Sequence, residues 1–219
     1  MALEFALQDG LPVAFGLHDV PAAVALSQAE LRTVETPYLE PVLRSHLVCI
    51  HDFTSYLNTV WAARKAKLDP YDYSDMVCIR LHQLLDYAPL DSSRRQTLSA
   101  LDDMVHLSLV AVMTTLMPEY GSNQARYDLL ASHMGRALRR YASMVDGYDE
   151  LLLWAAFVGY ATVFSASDHA WLVPLVNEMC GYLVTRTWGE MCGNLLRQYA
   201  WIEVSYEKAG LKLWSTVSR

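Results

Sequence analysis

The chain has 219 residues, 53% of them hydrophobic and 19% charged. That is enough to bury a sizeable core, and the composition excludes a disordered or fibrous protein. A formal net charge of -7 repels phosphate backbones and argues against direct nucleic-acid binding. Four scattered cysteines, Cys49, Cys78, Cys180 and Cys192, form no C-x-x-C pair, and Glu4 and Asp9 interrupt the place of a secretory leader. An intracellular location, nuclear or cytoplasmic, is therefore expected.

Residues 1–18, with Gly10, Pro12 and Gly16 and no sustained period, predict an irregular lead-in, and a helical domain is expected over 19–219. Asp19 caps a helix reaching about Val34, with Pro21 in its first turn. Thr36-Pro37 starts a long amphipathic helix in which Leu39, Leu43, Leu47, Ile50, Phe53, Leu57 and Val60 recur at three- and four-residue steps. It runs to about Lys67, before the Asp69-Pro70 break. Asp72 or Ser74 caps the next helix, which Pro89 terminates, and Asp91 or Ser92 opens another that continues to Met117. A helix from about Asn123 to Met144 follows, stopped by Asp146-Gly147.

Leu151 to Ser167 carries no charge, which at about 17 residues is at the short limit for a membrane span. Its flanks are acidic at Asp149, Glu150 and Asp168, with no basic residue to orient a span, so a buried core helix near 151–166 is expected and no membrane contact. Asp168 caps a further helix. Thr187 and Glu190 form a capping box before a helix through Met191, Leu195, Leu196 and Tyr199, and a short last helix ends at Trp214. No segment alternates over a strand's length. The chain is expected to be all-α, a single compact bundle of about seven to nine helices.

No Gly-rich phosphate loop, serine elbow or paired-histidine zinc helix is present, so no cofactor is expected. His46 and His51 are rotated by about 140 degrees around their helix, which spoils them as ligands of one metal. Cys180 and Cys192 read as isolated buried thiols, and no metal is expected. Asp102 and His106 share a helical face, as do His82 and Asp86, and two such pairs on antiparallel helices would make a polar pocket fit for acid-base work. His51 and Tyr56 are further pocket-lining candidates. Among the aromatics that crowd the last third, Trp154 and Tyr160 are candidates to line an apolar ligand pocket. The arginine pairs Arg94-Arg95 and Arg139-Arg140 read as solvated faces.

Four stretches come in a characteristic order: "DELLLWAAFVGYAT" from Asp149, "HAWLVPLVNEM" from His169, "TWGEMCGNLLRQYAW" from Thr187 and "KAGLKLW" from Lys208. Together they resemble the C-terminal part of the fungal-specific transcription-factor domain, the regulatory domain of fungal binuclear zinc-cluster regulators. "YSDMVCIRLHQLLDY" from Tyr73 resembles an earlier helix of that family. The chain lacks the six-cysteine cluster with which such regulators read DNA, and Ser205-Tyr206-Glu207 departs from the family's pattern near the last turn. The resemblance implies a zinc-cluster-free regulatory protein, linked to secondary metabolism, that senses a small hydrophobic metabolite, binds a protein partner or forms a homodimer. The alternative is a recruited biosynthetic enzyme, of cyclase or isomerase type, acting on a hydrophobic fungal metabolite, with Asp102, His106, His82 and His51 as its polar groups.

Overall fold

Prolines and capping side chains decide where the helices begin. A computed structural model describes residues 38–63, 69–91, 93–117, 127–145, 149–183 and 187–217. The expected lead-in at 1–18, the helix at 19–34, the end near Lys67 and the Asp146-Gly147 stop lie outside the described residues. Helix α1 spans Pro41–Ala63, so Pro41 and not Pro37 supplies the fixed φ of the first turn. The reason is tertiary: the Glu40 backbone N–H donates to Asp102 Oδ1 at 3.0 Å, while the Glu40 carbonyl accepts from Arg44 N at 2.9 Å.

Helix α2 spans Pro70–Tyr87 and starts at the expected break itself, because Asp69 accepts from the amides of Tyr71 and Asp72 with Pro70 at the first position. The single helix expected to reach Met117 is two, α3 (Ser93–Thr97) and α4 (Ala100–Thr115). Ser99, at φ -59° and ψ 159°, leaves helical geometry and caps α4 by accepting from Asp102 N at 3.0 Å. Helix α5 spans Asp128–Ala142, and α6 spans Glu150–Thr162 with Asp149 accepting from Leu152 N at 2.8 Å.

The apolar helix ends at Thr162, short of residue 166, because Phe164 folds back: its amide donates to the Gly159 carbonyl at 2.9 Å. The ring lies where any side chain on Gly159 would stand, a methyl there falling 2.2 Å from Phe164 Cε2. A 3-10 turn at Ala166–Asp168 leads into α7 (His169–Cys180). The Thr187–Glu190 capping box is formed reciprocally at 3.1 and 3.2 Å and opens α8 (Trp188–Asn194). That helix stops before Tyr199 and passes through a 3-10 turn, Leu196–Gln198, into α9 (Glu203–Val217), which runs one turn past Trp214.

Among the described residues the structure is all-α, nine α-helices and no strand. Helix α4 is the central element: it packs on α1, α2, α5 and α6, and from Asp102 to Thr114 every side chain is buried. Helix α6 is apolar all round and accordingly buried from Leu151 to Gly159, covered by α4, α5, α7 and α9. No described helix is long and apolar enough to cross a membrane. Asn58 joins α1 to the start of α9, donating to the Trp201 carbonyl at 2.7 Å and accepting from Glu203 N at 3.0 Å.

Phe157, Trp188, Trp201 and Tyr206 of the last third form one packed cluster. Trp201 meets Tyr206 at 5.1 Å between ring centroids, Phe157 meets Trp188 at 6.0 Å, and Trp188 meets Trp201 at 6.4 Å. Gly210 admits this cluster onto α9, since a methyl there would fall 2.5 Å from Trp188 Cη2. Gly210→Ala is expected to lose about 1–3 kcal/mol of stability in urea unfolding through overpacking. Gly189→Ala, where a methyl meets nothing within 4 Å, is expected to be neutral or stabilising.

Candidate functional site

The polar residues of the core gather around one arginine. Arg95 on α3 is only 7% exposed, against the solvated face expected for the Arg94-Arg95 pair. Its Nε donates to the Leu90 carbonyl at 3.2 Å, and one terminal nitrogen donates to the Ala88 carbonyl at 3.0 Å and to His106 Nδ1 at 3.2 Å. The other terminal nitrogen makes a short charged bond to Asp103 Oδ1. Four of the five guanidinium hydrogens are thus placed, as a buried cation requires.

His106 is fully buried, and its Nε2 donates to the Leu84 carbonyl at 2.8 Å while Nδ1 accepts from Arg95. Both nitrogens are satisfied only in the neutral ring. Burial and the adjacent Arg95 push its pKa down to about 3. Asp102, 8% exposed, is equally committed: its carboxylate accepts from Ser99 Oγ at 2.6 Å and from Glu40 N. The shared face expected for Asp102 and His106 therefore makes no pair, because each side chain is held by a different neighbour. His106 meets α2 through the Leu84 backbone, and Asp86 is exposed, so the two expected pairs do not combine into a pocket.

The remaining candidates are dispersed. His51 contacts Asp52 Oδ1 at 3.1 Å and the Arg197 carbonyl at 3.2 Å, at the junction of α1 with the last 3-10 turn. His82 is half-buried on α2, and Tyr56 is 46% exposed on α1. Trp154 is a packing anchor, fully buried, with Nε1 donating to the Ala200 carbonyl at 3.0 Å. Tyr160 stacks on His169 at 4.6 Å, and both line a cleft of about 340 Å³ that also includes Asp128, Asp168 and Lys212. Among the described residues no three His, Cys, Asp or Glu side chains converge as metal ligands, and burial pushes the thiols of Cys180 and Cys192 up to about 11.

A second cleft, of about 480 Å³, opens between the α3 region and α5. Leu90, Asp91, Arg95, Gln96 and Asp103 line it from one part of the chain, and Leu129, His133, Arg136, Ala137 and Arg140 line it from α5. Arg136 donates to His133 Nδ1 at 3.0 Å. Burial, Arg136 and Arg95 together push the His133 pKa down to about 4, with Asp91 pulling the other way, so this ring is neutral at pH 7. Arg136 and Arg140 reach no carboxylate at ion-pair distance among the described residues. Arg139 is held apart from the cleft, stacked over Trp171 at 4.6 Å. The sequence singled out neither His133 nor Arg136, and no motif marks them; their i, i+3, i+7 spacing with Arg140 was the one available sign.

Two stability measurements follow from this geometry. Asp103→Asn is expected to cost about 3–5 kcal/mol in urea unfolding, because it leaves the Arg95 charge buried without a counter-ion. His106 titrates near 6.5 when unfolded and near 3 when folded, so its contribution is complete above pH 6.5 and is lost as pH falls toward 3. Stability should fall between pH 6.5 and 5 by up to about 1.4 kcal/mol per pH unit from this group. His106→Gln, which keeps one donor and one acceptor, should flatten that slope; equal slopes in both proteins would remove His106 as its source. The sequence matches no protein-family model, and no curated protein or solved structure shows significant similarity to the chain.

Proposed function

We propose that this chain is a regulatory, ligand-sensing or partner-binding domain of the kind implied by its resemblance to the fungal transcription-factor regulatory domain. The observation that carries this is the division of labour among its polar residues. The residues best suited by type and spacing for acid-base work, Asp102 and His106, are spent on backbone and arginine contacts inside the core. A general base must reach a substrate proton and titrate near the working pH, and His106 does neither. Arg136 and Arg140, which reach no carboxylate at ion-pair distance among the described residues, instead line an open cleft, which suits recognition.

The acidic chain supports a role that depends on proteins or small molecules and not on direct DNA contact. The test is to tether the chain to a heterologous DNA-binding module in a filamentous fungus carrying a matching reporter. Reporter output should change relative to the module alone. An expressed, nuclear fusion that leaves output unchanged through the producing phases of growth would overturn the regulatory role.

A further inference from the structure

We propose that the cleft between the α3 region and α5 binds a monoanionic organic carboxylate, its carboxylate held by Arg136 and Arg140 and its apolar body set against Leu129. This rests on the binding role proposed above and names the ligand's chemistry. Arg136 and Arg140 stand one turn apart on α5, and both line the cleft. The guanidinium fork matches a carboxylate through paired, charge-assisted hydrogen bonds.

The charge of the lining fixes the charge of the ligand. Arg95, Arg136 and Arg140 are set against Asp91 and Asp103, with His133 neutral, which leaves one net positive charge. Arg95 is already matched by Asp103, so the surplus lies on α5. One carboxylate cancels it; a dianionic phosphate would overshoot and face both aspartates. His133 takes a hydrogen bond from Arg136 without neutralising it, so the cation stays available. The half-buried Leu129, with Leu90 and Ala137 beneath, gives the cleft an apolar surface that a small inorganic anion would leave uncovered.

Octanoate is a suitable probe. Titrated into the full 219-residue protein at pH 7 and followed by amide and arginine side-chain NMR shifts, it should perturb α5 residues 129–140 and the Arg136 and Arg140 Nε–H signals. Arg136→Gln and Arg140→Gln should each weaken binding by about tenfold or more, as loss of a charge-assisted pair implies. Both side chains are exposed, so folding should survive, and Lys208→Gln, an exposed charge change on α9, should leave the affinity unaltered. Octanol and inorganic phosphate should each bind more weakly than octanoate. Phosphate binding as tightly as octanoate would overturn the carboxylate assignment, as would equal affinity in the arginine variants. Octanoate shifts confined to another surface would overturn the cleft as the site while leaving a binding role for the chain intact.

Discussion

A single cation taken out of water organises the middle of this molecule. Moving a guanidinium into a protein interior costs several kcal/mol unless its hydrogens and charge are met, and Arg95 is met by groups from the turn after α2 and from α4 at once. That demand ties Ala88 and Leu90 to Asp103 and His106, so the turn after α2, the short α3 and the first turns of α4 have one mutual arrangement. The same contact puts Asp103 on the wall of the cleft, which sets the cleft's balance of charge. The buried ion pair and the wall of the cleft thus share Asp103.

Local signs were accurate at two helix starts and misplaced at two others: Asp69, not Asp72 or Ser74, caps α2, and the Asp168 carboxylate accepts from Ser165 N and not from the backbone of the helix it precedes. Asp149 and the Thr187–Glu190 box cap helices through neighbours three residues away, and the uninterrupted apolar run at α6 has no stable place except the interior. Where the deciding partner is distant, the sequence was silent. Pro37 and Pro41 are equally good helix starters, and Pro41 is used because a carboxylate 62 residues away holds Glu40 out of the helix. Arg95 looks like half of a solvated pair until Ser99 breaks the helix and Asp103 becomes its counter-ion. Spacing correctly put Asp102 and His106 on one helix, but helical spacing cannot tell which of several tertiary partners will claim a side chain.

The tryptophan-rich stretch illustrates the same division. Trp154, Trp188 and Trp201 meet other rings and a backbone carbonyl, and glycine at 159 and 210 lets aromatic rings approach the backbone. Residues of that kind specify how helices sit together, so a likeness resting on them speaks to architecture. The cleft-lining His133, Arg136 and Arg140 lie instead on α5, marked only by their i, i+3, i+7 spacing.

Asn58 has a kinetic consequence. Its two partners lie 143 and 145 residues further along the chain, so at ordinary rates of synthesis the amide waits about 7–30 s for them to emerge. During that interval α1 can already pack on α2 and α4, while its seam with α9 stays open. A shortened transcript ending before Trp201 would leave the Asn58 amide without these two partners, so a cut near the end of the chain is felt on α1.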